Sequence, residues 1–261
     1  MTSALAFHQV AAGYRNKVVL NDLTFDVPEG EMTAVIGPNG SGKTTLLRVA
    51  TAFIEPVAGS VSVFGRQAAL LPSVERAGLV GVVPQNVETP VDFTVEEIVM
   101  TGRTASLSRW RRPSVADRSI VERAMDYTDT AGMKNRPFAA LSGGEKQRVV
   151  IAMVLAQQPR MILMDEATSH LDMNHRLEVM EIVERLNKEE GVTVVMVSHD
   201  LNLAAEFCRR LLLLDRGRLA ADGTPAEVLT ETILAETYRC DVRVQTNPTD
   251  GSLLVKPVRR T

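Results

Sequence analysis

The chain opens with short apolar stretches separated by turn residues: FHQVAAGY, VVL and LTFDV, the last closed by Pro28-Glu-Gly30, and then MTAVIG. Runs of this length, rich in valine and bounded by Gly, Pro and Asn, predict strands. A helix is predicted to begin at Gly42 and carry KTTLLRVATAF, because Leu46, Leu47 and Ala50 recur on one helical face. SVSVFG and, past a loop at Pro72, LVGVVPQ follow as valine-rich buried strands. From residue 87 to 158 the period changes: TVEEIVMTGR, VADRSIVERAMDYT and GGEKQRVVIAMVLAQ place apolar residues at helical spacing. Alternation then returns, with MILMDE as a strand, HRLEVMEIVERLNKEE as an amphipathic helix, VTVVMVSH as a strand and LNLAAEFCRR as a helix. The hairpin LLLLDRGRLAADG and a last pair of strands around Asn247-Pro248 complete the pattern.

The pattern predicts an α/β domain with a core over residues 1–86 and 159–240, an inserted α-helical lobe over 87–158, and a tail over 241–261. A length of 261 residues suits one large domain carrying such a lobe. The net charge of −3 argues against a protein that wraps nucleic acid. The longest apolar runs, such as the four leucines at 211–214, fall far short of the roughly 18 residues needed to span a bilayer. The first fifteen residues lack a basic segment followed by a long apolar stretch, so a cytosolic chain is expected. Cys208 and Cys240 form no CxxC pair and read as two reduced thiols.

The chemistry begins at GPNGSGKTT, residues 37 to 45, between a valine-rich strand and a helix. This is the pattern of a phosphate-binding loop. Its Gly37, Gly40 and Gly42, with Pro38, Asn39 and Ser41 between them, let backbone N–H groups converge on phosphate oxygens; Lys43 reaches the outer phosphates, the Thr44 hydroxyl can ligate Mg²⁺, and Thr45 completes the run. A second acidic element stands at MILMDE, where Asp165 is placed to hold Mg²⁺ and Glu166 to polarise the attacking water.

The segment LSGGEKQR at 141–148 gives the sequence its resemblance to the ABC ATPases. In that family Leu-Ser-Gly-Gly begins a helix that faces the γ-phosphate of ATP held by the other subunit. The resemblance assigns Ser142, Gly143 and Gly144 to that contact, in keeping with a hydroxyl donor, close backbone approach and the helix dipole. It further implies that Tyr14, 23 residues before Gly37, stacks on adenine, and that Gln85 senses Mg²⁺ and water and links to the membrane partner. Ser169-His-Leu-Asp172 corresponds to the loop that crosses the dimer interface, with Asp172 as its key position, and His199 to the switch histidine that touches the γ-phosphate. His8, His170 and His175 have no comparable context and read as surface or packing residues. Ala167 stands where the family usually has proline.

The resemblance runs from about Phe7 to Glu227 and is greatest to the ATPase subunits of bacterial importers for iron chelates, haem and cobalamin. It implies ATP and Mg²⁺ as cofactors, a head-to-tail pair of this chain, two membrane-spanning permease subunits, an indirectly coupled solute-binding protein, and a place on the cytoplasmic face of the inner membrane. Molybdate, manganese and zinc importers use similar subunits, and a soluble ABC ATPase acting on ribosomes or nucleic acid is the rival class. The basic run Arg103 to Arg112 is the feature that could favour nucleic acid, or else a solvated helix end or a patch near lipid headgroups. Residues 85–103, with Val91, Phe93, Val95, Ile98 and Met100, are predicted to form part of a docking cleft for the membrane partner.

Overall fold

A computed structural model describes residues 2–15, 17–85, 93–104, 112–249 and 251–258. The chain divides into two compact units, Met1–Leu71 with Thr193–Thr261, and Pro72–Val192. Along the sequence the first unit begins with β1 (Ser3–Tyr14), β2 (Lys17–Pro28), β3 (Met32–Ile36), α1 (Lys43–Ala50), β4 (Ala58–Val63) and β5 (Arg66–Gln67). The second unit comprises α2 (Ser73–Leu79), β6 (Val80–Val83), α3 (Val95–Thr101), α4 (Val115–Tyr127), α5 (Gly143–Ala156), β7 (Met161–Asp165) and α6 (Met173–Glu190). The first then resumes with β8 (Thr193–Val197), α7 (Leu201–Phe207), β9 (Arg210–Asp215), β10 (Arg218–Gly223), α8 (Pro225–Val228), α9 (Glu231–Tyr238), β11 (Val242–Thr246) and β12 (Leu253–Pro257).

In the first unit an antiparallel sheet runs in the order β2-β1-β4-β5. VVL and LTFDV, which the sequence separates, are one strand: the bend at Asn21-Asp22 is absorbed by a bulge in which Asp22 takes a φ of 55°. Phe7 and Phe25 stack across the pair, ring centroids 4.7 Å apart. A second sheet places β3 between two parallel neighbours, β8 and β9, with β10 antiparallel beyond β9. All five residues of β3 and of β8 are buried, Thr33 and Thr193 included, as befits interior parallel strands covered on both faces.

Helix α1 starts one residue after Gly42 and stops at Ala50, short of the predicted Phe53. Ala52 turns left-handed and the Phe53 and Ile54 N–H groups fold back onto the Arg48 carbonyl, closing the helix end. The tail forms the predicted hairpin of β11 and β12. Asn202 on α7 holds it like a short strand, accepting from the Val255 N–H at 2.7 Å and donating to its carbonyl at 3.4 Å.

In the second unit β6 and β7 pair in parallel. Three helices open on the same device, Thr94 with Glu97, Ser114 with Asp117 and Ser142 with Glu145, each a reciprocal capping box. Each cap is worth about 1 kcal/mol. Helix α3 turns Val95, Ile98 and Val99 into the core of this unit. Of the apolar residues expected to face a docking partner, Val95 and Ile98 are therefore core residues; Phe93 stays 39% exposed, and Val91 lies outside the described residues.

Arg103 corrects a second expectation. It is buried, pairing with Asp117 at 3.2 Å and donating to the Ala156 carbonyl at 2.7 Å, so it belongs to no basic surface patch. The caps from Ser114 and the guanidinium of Arg103 hold the Asp117 carboxyl down at about 2. Arg109, Trp110 and Arg111 lie outside the described residues. No helix among the described residues is long and apolar enough to cross a membrane.

Candidate functional site

The candidate residues fall into two groups, one in each unit. In the first unit the phosphate-binding loop leaves the carboxyl end of β3. The parallel register pairs Val35 with Val197 on β8 and Ile36 with Leu213 on β9, so Gly37 one residue past β3, His199 two past β8 and Asp215 at the end of β9 share one edge of the sheet. Ligand sites in open parallel sheets gather at that edge. Gly37 has a φ of 146°, and a Cβ there would lie 2.2 Å from the Leu214 carbonyl oxygen, so no side chain fits. The Gly217 N–H donates to the Ser41 carbonyl at 2.8 Å, and the Gly217 carbonyl accepts from Asn21 at 2.8 Å, which ties the loop to β2.

Gly42 caps α1 in the left-handed region without a side-chain hydrogen bond, and no acidic residue occupies the first turn. The N-terminus of α1 thus lies beside Pro38, Asn39, Gly40 and Thr44, with the helix dipole favouring an anion there. Lys43 is buried with its ammonium on the Gly37 carbonyl at 2.8 Å and the Pro38 carbonyl at 3.1 Å. Thr45 is buried beside it, and the Ser41 hydroxyl is buried with no hydrogen-bond partner. An orphaned hydroxyl, a buried cation and a helix N-terminus fit a polyphosphate.

Tyr14 ends β1, 40% exposed, its ring beneath the Arg48 guanidinium at 5.7 Å and its hydroxyl accepting from Arg48 at 2.9 Å. Arg48 also stands 5.9 Å from the centroid of Phe53, which is 78% exposed. The sequence reading missed this aromatic and cationic cluster, although Arg48 and Phe53 follow the loop directly. It also missed Tyr238 of α9, which lines a cavity of about 170 Å³ with Pro38–Ser41 and Arg216. Burial raises its phenol to about 12. His199 is exposed after β8, between Ser198, whose N–H binds the Val35 carbonyl, and Asp200, which caps α7.

In the second unit the register of β6 on β7 pairs Val83 with Met164, so Gln85 and Asp165-Glu166 leave adjacent parallel strands at the same edge. Glu166 has a φ of 48°, a conformation that costs about 1–3 kcal/mol in a non-glycine residue. Its carbonyl accepts from the Ser169 N–H at 3.0 Å, closing a turn over buried Ala167. Gln85 donates to the Ser169 hydroxyl at 3.2 Å.

Ser142 is the N-cap of α5. Its oxygen accepts from the Glu145 N–H at 3.3 Å, which leaves the hydroxyl proton able to donate outward. Glu145 accepts in return from the Ser142 N–H and pairs with Arg136 at 2.9 Å; these bonds lower its pKa. Ser142 and Gly143 are exposed and Gly144 is buried. Asp172 caps α6, accepting from the His175 N–H at 3.0 Å and from its ring; those bonds lower the carboxyl's pKa. Among the described residues no group of three or more His, Cys, Asp or Glu could hold a metal by itself. Within this unit the amide of Gln85 and the carboxylate of Asp165, and within the first unit the hydroxyl of Thr44, are hard oxygen donors of the kind Mg²⁺ takes, an ion that takes few protein ligands and completes its shell with phosphates and water.

The sequence profile of the ABC transporter family matches residues 20–169. The chain is 39% identical to the iron(3+)-hydroxamate import ATP-binding protein FhuC of Bacillus subtilis (strain 168), over 94% of this chain and 91% of that protein. It is 38% identical to the ferric enterobactin transport ATP-binding protein FepC of Escherichia coli (strain K12), over 97% and 93%. The solved structure of an ABC transporter in an inward-facing conformation superposes with a TM-score of 0.87 at 27% identity, covering 99% of this chain and 98% of that one. On this match, and on a P-loop α/β core with its antiparallel β subdomain and helical lobe, the chain belongs to the ABC transporter family of ATP-binding subunits.

Proposed function

We propose that this chain is the ATP-hydrolysing subunit of an importer for a metal chelate of the iron-siderophore class. It closes on ATP as a head-to-tail pair beneath two membrane-spanning permease subunits, on the cytoplasmic face of the membrane, with a solute-binding protein delivering the chelate. The carrying observation is a phosphate-ready helix N-terminus together with the acidic strand end Asp165-Glu166, in a chain similar to siderophore import subunits over 94% and 97% of its length. Those relatives favour import over the ribosomal and nucleic-acid reading.

Adenine stacks on Tyr14 while the phosphates lie on the N–H groups from Gly37 to Thr45. Lys43 exchanges its two carbonyls for phosphate oxygens. The Glu166 carboxylate takes a proton from water as the water oxygen attacks the γ-phosphorus and the bond to the bridging oxygen breaks. His199 orients that water, and Asp172 with Ser142, Gly143 and Gly144 completes the site on the facing subunit. Thr44, Gln85 and Asp165 would hold Mg²⁺, whose charge would offset that of the phosphates.

Purification together with the products of neighbouring genes tests the reading. It predicts a complex with two membrane-spanning chains whose ATP turnover rises when a ferric siderophore and its binding protein are added. Turnover that rises only with ribosomes or nucleic acid, with no membrane chain retained, would overturn it.

A further inference from the structure

His175, read from the sequence as a surface or packing residue, makes two specific contacts. Its Nδ1 lies 2.9 Å from each carboxylate oxygen of Asp172. Its ring presses on Gly144 from the other side: a Cβ on Gly144 would stand 2.3 Å from His175 Cδ2, 2.5 Å from Cγ and 2.8 Å from Cβ. Real Cβ contacts do not come this close, so the absent side chain of Gly144 is space the imidazole fills. The side chain is only 33% exposed, against 67% for Asp172. The ring therefore stands between the first turn of α5 and the cap of α6.

We infer that His175 is a positioning residue for ATP hydrolysis, a spacer that fixes the signature turn Ser142–Gly144 against the Asp172 loop. The inference rests on the reading of Ser142 and Asp172 given above. The carboxylate fixes the tautomer, with the proton on Nδ1, and the plane of the ring. The ring in turn sets how far the Gly144 backbone can approach Asp172. Ser142 and Gly143 project from that same turn, so a collapsed or rotated imidazole displaces the donors meant for the γ-phosphate of the facing subunit. ATP binding by the separate subunit uses the phosphate-binding loop and is untouched.

The test is steady-state turnover by the full chain, with equilibrium ATP binding and the unfolding midpoint measured on the same samples. His175→Leu fills the space but cannot bond Asp172; it should lower kcat roughly 10- to 100-fold, the scale of an ångström misplacement, with ATP affinity within about twofold. His175→Asn carries an amide N–H near the position of Nδ1 and should recover most of that loss. Gly144→Ala overlaps the ring and should be nearly inactive, and adding His175→Ala should restore part of its activity by making room. Wild-type kcat in His175→Leu, a loss that Asn does not rescue, or a double variant no better than Gly144→Ala would overturn the inference. Ser142→Arg in the same assay separates the two readings. If it stays active the signature assignment itself is wrong; if it is inactive while His175→Leu is not, only the role of His175 falls.

Discussion

The Gln85 amide donates to the Ser169 hydroxyl at 3.2 Å, joining the loop after β6 to the loop after β7. The turn that follows Glu166 therefore answers to three elements at once: Gln85 through Ser169, α6 through Asp172, and α5 through His175 and Gly144. In the proposed cycle a change at the nucleotide reaches Gln85 through this turn.

Glu166 follows the aspartate at the end of β7 and is held in a left-handed conformation. Replacing it with glutamine keeps the size and removes the base. Glu166→Gln should slow hydrolysis roughly 10²- to 10⁴-fold while ATP still binds, and ATP-loaded dimers should accumulate on gel filtration. Turnover at the parental rate would remove Glu166 from the reaction.

A site shared between two subunits has a counting consequence. Ser142→Arg and Lys43→Ala should each be nearly inactive alone, whereas mixing them gives heterodimers with at most one intact site and partial activity. Full activity of Ser142→Arg at high dilution would exclude the head-to-tail arrangement.

Arg48 holds Tyr14 through ring and hydroxyl alike. Contacts of this kind at exposed sites are worth about 0.5–1 kcal/mol, so Arg48→Ala should weaken ATP binding about two- to fivefold with kcat little changed. A comparison of ATP with inorganic triphosphate locates the effect: the loss should vanish when the base is absent.

Asp117 titrates at about 2 rather than near 4, so its ion pair and caps contribute stability that is complete above the unfolded value and disappears as pH falls through the folded one. Asp117→Asn should be less stable than wild type at pH 7. The gap should close between about pH 4 and pH 2, read from unfolding midpoints. A gap independent of pH would mean that packing, and not charge, distinguishes the two.

Much of the fold is legible because its strands and helices announce themselves: MTAVIG and VTVVMV cannot be exposed, and Ser142 and Ser114 each stand three residues before a carboxylate. Helix α2 was not legible, since SVERAGL buries no residue and includes a glycine. Helices α8 and α9 were missed although Thr224-Pro225 and Thr230 mark their starts, because four and eight residues are too few to display a period. The candidate residues at strand ends could be named from local motifs. Tyr238 beside the phosphate-binding loop and His175 against Gly144 could not, since both depend on contacts far apart in sequence.

Strand β3, which delivers the phosphate-binding loop, has both of its neighbours in this unit more than 150 residues downstream, at Thr193–Val197 and Arg210–Asp215. The Gly217 link to Ser41 is as distant. During synthesis this mostly apolar strand, wholly buried once folded, therefore waits, unpaired, until the last third of the chain has left the ribosome. A nascent chain arrested before residue 193 should bind chaperone and no ATP, and the nucleotide site should come into being abruptly once residue 217 emerges.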